Sequence, residues 1–383
     1  MPRHSRVAVA MSGGVDSSVA AKILVGQGYE VIGVTMKLWN YDEVGGNVDL
    51  SNSCCSLDSI NGARMVCTEL GIPHFVYDFS SEFQKIVIEN FKTEYLAGRT
   101  PNPCIRCNTY LKWHTLLDKI TEIDVDFIAT GHYAQIVEKD ENFAIARAKY
   151  REKDQSYALW ELSQENLKRT LFPLGKLTKP EVRNIAKEAN LETADEPESQ
   201  EICFIPDNDY HRFLNENALD EMAKIGDGKI LDEAGNELGT HKGFPFYTVG
   251  QRRGLGIYDA TPFYVKKIDA TKNEIIVAKK EAMTFVEMKV GQLNWMIPPK
   301  IEEFSAKVKI RYRHEAVECN VQMNEGKRRK AKGKKEEIAS PLARNDRNFV
   351  TVRFAEPQIA VAPGQSSVFY KNDVVLGGGI IFD

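Results

Sequence analysis

The chain has 383 residues, 43% of them hydrophobic and 27% charged, and a formal net charge of −4 at pH 7. That length is too great for one compact core and implies two or three domains. The charge excludes a uniformly basic protein, so a nucleic-acid partner has to be met by locally basic surface. The opening MPRHSRVAVAMSGG runs from a short apolar stretch straight into glycines, unlike a signal peptide, and no run reaches the length of a membrane span. A cytoplasmic protein without membrane contact is expected. Seven cysteines, an odd number scattered along a long chain, argue against a disulfide scaffold. Those that cluster point instead to redox, metal or nucleophile chemistry.

In chain order, Arg6–Met11 reads as a short buried strand, followed by the glycine turn Ser12–Gly14 and an amphipathic run from Ser17 to about Gln27 that Gly28 closes. Val31–Met36 is a second strand, Asp58–Leu70 a helix, and His74–Tyr77 a third strand. Ser81 is expected to cap a helix over Glu82–Leu96; a helix over Thr109–Ile120 precedes the strand Phe127–Thr130. This alternation implies an α/β fold, a parallel sheet covered by helices, binding ligands at the carboxyl ends of its strands. Beyond about Pro206 short apolar runs alternate with glycine turns, implying small β-rich domains. The strands expected near the end are Ala306–Arg311, Ala316–Met323, Asn348–Phe354, Ser367–Tyr370 and Val374–Ile381. Between the second and third lies a basic, low-complexity insertion, Asn324–Asp346, expected to be a solvated loop.

The junction Met11-Ser12-Gly13-Gly14-Val15-Asp16-Ser17-Ser18 carries the first chemistry. Adjacent glycines let backbone amides approach an anion, and the free amides of a helix start favour phosphate oxygens. Ser12, Ser17 and Ser18 add hydroxyls, and Asp16 is placed to hold magnesium on the phosphates. The loop lacks the lysine of a nucleoside-triphosphate P-loop. A grip on pyrophosphate without that lysine suits adenylation of an oxygen, with pyrophosphate as the leaving group.

SGGVDSS resembles the loop of the PP-loop ATP pyrophosphatases, and within that group the chain resembles the tRNA-specific 2-thiouridylases. The matching stretches are AMSGGVDSS, TPNPC–RCN, ATGHYA, KDQSYAL, SQEICFI, YTVGQRRGLG, RYRHE and APGQSSVFY–GGGII, which together span the chain except the basic insertion. The resemblance implies a PP-loop catalytic domain over 1–206, a central β-rich tRNA-binding domain over 207–284 and a C-terminal β-barrel over 285–383. It also implies ATP-dependent 2-thiolation of the wobble uridine of tRNA, with glutamate, glutamine and lysine tRNAs as acceptors and a cysteine desulfurase or sulfur-carrier protein as donor.

Cys104 and Cys107 lie in TPNPCIRCN, whose prolines are expected to delay a helix until about Asn108. A cysteine at a helix start beside Arg106 has its thiolate stabilised. By the resemblance, Cys203 receives sulfur as a persulfide, Cys107 is the nucleophilic partner, and the two can end as a disulfide. Cys104 departs from the family pattern, where an Asp often follows the Asn-Pro. It reads either as an assisting thiol or as one of three ligands, with Cys107 and Cys203, of a 4Fe–4S cluster. The remaining cysteines, Cys54, Cys55, Cys67 and Cys319, read as structural or incidental.

The resemblance assigns ATP to Ala10, Met11, Ser12, Gly13, Gly14, Val15, Asp16, Ser17, Ser18, Met36 and Gly131. To the target base and tRNA it assigns Asn102, Pro103, Cys104, His132, Lys153, Asp154, Gln155, Arg311, Tyr312 and Gln365, with Gln251-Arg252-Arg253 as further candidates. Arg311-Tyr312-Arg313 is expected on a strand. The alternatives on these residues are a carboxylate-adenylating amide ligase, which needs neither Cys107 nor Cys203, and a non-catalytic sulfur carrier or RNA-binding protein.

Overall fold

The computed structural model describes residues 5–39, 57–196, 202–325 and 348–382. Cys54, Cys55, Gln200, Glu201 and all of the expected insertion but Asn324 and Glu325 lie outside the described residues. The chain divides into two compact units. One comprises Met1–Glu89, Pro103–Phe213 and Asp373–Val375; the other comprises Asn90–Asn102, Leu214–Asn372 and Leu376–Asp383.

The first unit begins with β1 (Arg6–Ala10), α1 (Val15–Gly26), β2 (Glu30–Lys37), α2 (Leu57–Glu69) and β3 (His74–Asp78). A continuous helical stretch follows as α3 (Ser80–Phe83), a π-helical turn (Gln84–Ile88) and α4 (Glu89–Leu96), which from Asn90 onward belongs to the second unit. It starts at Ser80, so Ser81 lies inside it and is not its cap; Phe79 stands at the cap, and Asp78 accepts the Ser80 N–H at 3.0 Å. The second helical stretch is α5 (Pro103–Arg106), a π-helix over Cys107–Leu116 and α6 (Leu117–Thr121). It begins about six residues before the expected Thr109, because proline in a first turn has no N–H that the helix needs. Then come β4 (Phe127–Thr130), the hairpin β5 (Ala134–Lys139) and β6 (Asn142–Arg147), α7 (Gln164–Lys168), β7 (Thr170–Leu171) and α8 (Lys179–Glu188).

Five strands form one sheet in the order β3-β2-β1-β4-β7, every pairing parallel. Val7, Ala8 and Val9 of β1 are buried, as a central strand covered on both faces requires. Val15, Val19, Ala20, Ala21 and Leu24 of α1 pack into the same core. The order reverses between β1 and β4, which is where open parallel sheets bind ligands.

In the second unit β8 (Gly228–Leu231), β9 (Glu237–His241), β10 (Tyr264–Asp269) and β11 (Glu274–Ala278) form a four-stranded sheet in the order β10-β11-β8-β9. Its core is Ile230, Phe244, Leu255, Val265, Ile275 and Val277. The last six strands are β12 (Thr284–Trp295), β13 (Glu303–Lys309), β14 (Val317–Glu325), β15 (Asn348–Ile359), β16 (Ser366–Lys371) and β17 (Val374–Ile381). They run β12-β15-β14-β13-β16-β17, and β12 pairs again with β17, closing a barrel. The α/β class with a parallel-sheet domain, a central β region and a C-terminal barrel is therefore observed. The strand expected over Ala306–Arg311 ends earlier, at Lys309, and Arg311-Tyr312-Arg313 falls in a turn rather than on a strand.

Candidate active site

The glycine junction is folded largely by its own residues. Gly13 adopts φ +77°, and a Cβ there would collide with the backbone of Ser59, so only glycine fits. Gly14 ends the extended segment as the cap of α1. Its carbonyl accepts the hydroxyls of Ser17 and Ser18, each at 3.0 Å, while Ser17 Oγ accepts the Ser12 N–H at 3.2 Å. The hydroxyls of Ser17 and Ser18, expected as phosphate donors, are thus turned inward and both residues are buried; Ser12 is the exposed serine. What the junction offers an anion is backbone: the first amides of α1, which no helical carbonyl can reach. Met11 and Val15 are core residues, and Ala10 ends β1. Met36 is buried near the carboxyl end of β2, in register with Tyr77. Gly131, just after β4, lies so close to α1 that a Cβ would stand 2.7 Å from Asp16 C and 2.8 Å from Ser17 N.

Asp16 carries the largest departure from expectation. Lys179 Nζ donates to both of its carboxylate oxygens, at 2.7 and 2.8 Å, and the Tyr133 hydroxyl donates to Oδ1 at 2.8 Å. The Lys179 side chain is only 9% exposed, against 33% for Asp16. Lys179 is placed by a capping box: Thr178 accepts the Glu181 N–H, Glu181 answers with the Thr178 N–H, and Pro180 fills the first turn. A cation therefore already sits on the carboxylate expected to hold magnesium. Neither Lys179 nor Tyr133 was singled out from the sequence. TKPEV is recognisable as a helix start, but nothing in it identifies a partner 163 residues away.

Tyr133 is in turn held by Gln155, whose Oε1 accepts the Tyr133 N–H at 2.8 Å. Asp154 is buried, and its carboxylate accepts from Ala148 N, Ser156 N, Ser156 Oγ and Arg147 Nε at 2.9–3.3 Å. Its carboxylate shapes the turn; of the three polar residues Lys153-Asp154-Gln155 expected to meet RNA, Lys153 and Gln155 are half-exposed. His132 packs among Trp113 and Phe172, with Nδ1 2.7 Å from Thr130 Oγ1. Burial, with the nearby Lys112 charge, pushes its pKa well below the usual histidine value and keeps the ring neutral.

Cys104 is exposed on α5, and Cys107 is the half-buried first residue of the π-helix, in the opening turns of one helical stretch. π-Helical turns are rare and recur at functional sites. Arg106, expected to favour a thiolate, lies over the Tyr110 ring at 4.4 Å, and the Tyr110 hydroxyl donates to Glu161 at 3.1 Å. Burial raises the Glu161 pKa while the Arg106 charge opposes the rise. Asn108 ties the stretch down, donating to Ala158 O at 3.0 Å and accepting Lys112 Nζ at 2.8 Å. Cys203 is half-buried in a turn whose next residue, Phe204, packs against Phe83 and Phe213 with ring centroids 5.6 and 5.3 Å apart. Phe83 ends α3, and the π turn that follows it packs against α5, so Cys203 and the Cys104–Cys107 stretch are fastened to the same segment. Among the described residues no group of three or more His, Cys, Asp or Glu side chains is arranged to hold a metal. Cys67 and Cys319 are buried and their thiols are pushed up to about 11 and about 12, in keeping with structural roles.

In the second unit Arg311 donates to Ile359 O at 2.9 Å, whereas Tyr312 is exposed with Lys309 Nζ 5.6 Å from its ring. Gln251 is turned onto its own loop, accepting Thr248 N and donating to Arg253 O, and leaves Arg252 and Arg253 exposed. The Gln365 amide donates to backbone carbonyls of Thr100 and Pro101.

Three family models match the chain: a tRNA methyl transferase HUP domain over residues 5–207, a tRNA methyl transferase PRC-barrel domain over 216–279, and an aminomethyltransferase β-barrel domain over 285–335 and 327–381. The tRNA-specific 2-thiouridylase MnmA of Salinibacter ruber is 44% identical over 100% of this chain and 96% of its own length. That of Geobacter metallireducens is 45% identical over 99% and 97%, and that of Acetivibrio thermocellus 45% over 98% and 99%. Among solved structures, the U34-tRNA thiolase NcsA from Methanococcus maripaludis with its [4Fe-4S] cluster is 22% identical with a TM-score of 0.33, over 57% of this chain and 67% of that one. A likeness that slight does not bring the cluster to this chain.

Proposed function

Because the chain belongs to the tRNA-specific 2-thiouridylase family, we propose that it uses ATP to replace the C2 oxygen of the wobble uridine of tRNA with sulfur. The observation that carries the mechanism is the pairing of a lysine-free glycine loop with two cysteines fastened to one segment, Ser80–Ile88.

In this reading the amides at the start of α1, with Ser12, hold the β- and γ-phosphates. Gly131 lets the end of β4 approach the start of α1, where its backbone borders the nucleotide, and Met36 lies against adenine. Lys179 supplies the positive charge that the loop itself lacks, passing from Asp16 to the phosphates. Asp16 is the residue that would hold magnesium on the phosphates, where the ion would neutralise charge on the leaving pyrophosphate. The uridine C2 oxygen attacks the α-phosphorus, pyrophosphate leaves, and the adenylated oxygen becomes a leaving group. The terminal sulfur of a Cys203 persulfide then bonds to C2, AMP departs, and Cys107 takes the Cys203 sulfur as the persulfide bond breaks. The resulting Cys107–Cys203 disulfide returns to two thiols by uptake of two electrons from a thiol reductant.

The persulfide relay is the route taken here because it needs only two thiols, Cys107 and Cys203, fastened to that one segment. Cys104 acts as an assisting thiol beside the target base, with Asn102 and Pro103. Lys153, Gln155, Tyr312 and the exposed Arg252 and Arg253 meet the RNA, and neutral His132 lines the base pocket. The domains run 1–206, 207–284 and 285–383, a division supported by the three family-model segments. Glutamate, glutamine and lysine tRNAs are the acceptors, a cysteine desulfurase or sulfur carrier the donor, and the cytoplasm the location. Product analysis tests the adenylation step. With unmodified tRNA present, ATP should yield AMP and pyrophosphate; ADP and phosphate as products would overturn it.

A further inference from the structure

Asn108, the residue after Cys107, has both ends of its amide committed. Its Nδ2 donates to the Ala158 carbonyl at 3.0 Å, and a carbonyl oxygen only accepts, so the orientation of the amide is fixed. Its Oδ1 then accepts from Lys112 Nζ at 2.8 Å. Lys112 is thereby drawn back along its own helical stretch toward Cys107, from one turn further on. Trp113, the next residue, fixes that stretch against the strands. Its Nε1 donates to Thr170 Oγ1 at 2.7 Å, and its ring lies 5.7 Å from that of His132. The Lys112 charge reaches His132 and disfavours its protonation. Half-exposed Lys112 therefore links the cysteine stretch to the residue that follows Gly131 at the carboxyl end of β4. All of these residues belong to the first unit.

Lys179 and Arg106, in the same unit, have carboxylates to answer their charge. Lys179 holds Asp16 at 2.7 and 2.8 Å, and Arg106 acts on Glu161. Lys112 is matched by a neutral amide, and among the described residues no carboxylate is paired with it. An ammonium has three N–H donors, and the Asn108 contact takes one. A neutral anchor fixes where the cation points without offsetting its charge. That charge is left for an anion formed at the carboxyl edge of the sheet.

We propose that Lys112 is a catalytic residue of the sulfur-transfer step, its ammonium facing the oxygen that joins uridine C2 to AMP. The proposal rests on the function proposed above, in which the Cys107 stretch and His132 border the target base. As the persulfide sulfur bonds to C2, the C2–O bond breaks and its electron pair leaves on the AMP oxygen. Negative charge grows on that oxygen, and Lys112 stabilises it by charge alone, with no proton passing. Adenylation moves charge the opposite way, from the uridine oxygen toward pyrophosphate, which is gripped at the start of α1. Lys112 therefore serves the second step and is dispensable in the first.

The test uses the full chain with unmodified tRNA, ATP and a persulfide donor. Lys112→Met keeps most of the side-chain volume and removes the charge. Its thiolation rate should fall about a hundredfold, as when a transition-state donor is lost. Pyrophosphate release in the first turnover should stay near wild type, so that adenylated tRNA accumulates. Lys112→Ala leaves a cavity, and methylammonium should raise its thiolation rate about tenfold while leaving Lys112→Met unchanged. Iodoacetamide alkylation of Cys107 and the melting temperature should stay near wild type in both. Unchanged thiolation in Lys112→Met would overturn the proposal, as would pyrophosphate release that falls in step with thiolation. A thiolation loss that methylammonium does not relieve would make Lys112 a structural support of Asn108 and overturn it too. If Lys112→Met fails to fold, Lys112→Ala with methylammonium decides alone. A wild-type protein that releases no pyrophosphate from ATP and tRNA would sink the proposed function and this role with it. An active wild type beside an equally active Lys112→Met would sink this role alone.

Discussion

The glycine loop and the cysteine stretch both lead into helices of the same unit, yet they are built in opposite ways. The loop is closed by bonds that span three to five residues, from Ser17 and Ser18 to Gly14 and from Ser12 to Ser17. The cysteine stretch is set by bonds spanning about ten times as much chain, 50 residues from Asn108 to Ala158 and 51 from Tyr110 to Glu161. Cys203 is held through aromatic packing of Phe204 on Phe83 and Phe213. A grip on phosphate can be written into a dozen residues. Bringing two thiols to one segment needs the whole domain. The two regions should accordingly fail in different ways.

The largest expected effect separates the two chemical steps. Cys203→Ser and Cys107→Ser should each lower tRNA thiolation by about a thousandfold or more, since each removes a bond-forming sulfur. Both variants should still form AMP and pyrophosphate once per bound tRNA, read by rapid quench. Loss of adenylation in either would erase the division between the regions.

Gly13→Ala attacks the other side. A left-handed φ and a collision with the Ser59 backbone should weaken ATP binding by about a hundredfold, roughly 3 kcal/mol. Calorimetric titration with ATP checks this, and both adenylation and thiolation should be lost together. Lys179→Met probes the long-range ion pair of the loop. It should weaken ATP and pyrophosphate binding by about tenfold, near 1.4 kcal/mol, and leave AMP binding almost unchanged. An equal loss for AMP would assign Lys179 to holding the fold alone.

Asn108→Ala removes an anchor of the cysteine stretch. A loss of about 1–2 kcal/mol in denaturant unfolding is expected, with ATP affinity unaffected. The smallest effect is on pH. The folded pKa of His132 is lowered by burial, so the unfolded chain binds the extra proton first. Its contribution is fully present above the unfolded pKa of about 6.5 and is lost as pH falls below that value, at up to about 1.4 kcal/mol per pH unit. His74, His241 and His314 are shifted in the same direction. His132→Gln should therefore make the acid limb of a stability profile shallower without abolishing it.

The same contrast explains what could be read in advance. The glycine loop, its flanking strand and helix, and the alternation behind the parallel sheet are written in neighbouring residues, and all appear in the structure. The β5–β6 hairpin escaped notice because its turn places Asp140 and Glu141, not glycine, at φ +51° and +62°. β12 was missed because it bends, its register shifting as it passes from β15 to β17. The inward turns of Asp154 and Gln365 were unreadable for a further reason. Polar residues beside recognisable motifs look available to a ligand until the fold reveals which backbone groups they satisfy. Lys179 is the converse case, a plain helix-start lysine in sequence and the partner of Asp16 in three dimensions.

The most direct test supplies ATP, magnesium, a persulfide donor, a thiol reductant and unmodified glutamate tRNA, then identifies the wobble nucleoside by mass spectrometry. The expected result is 2-thiouridine formed with equal amounts of AMP and pyrophosphate by iron-free protein, and none with Cys203→Ser. Thiolation that persists in Cys203→Ser, or that appears only with iron bound, would contradict the persulfide relay, and an unchanged uridine would contradict the function itself.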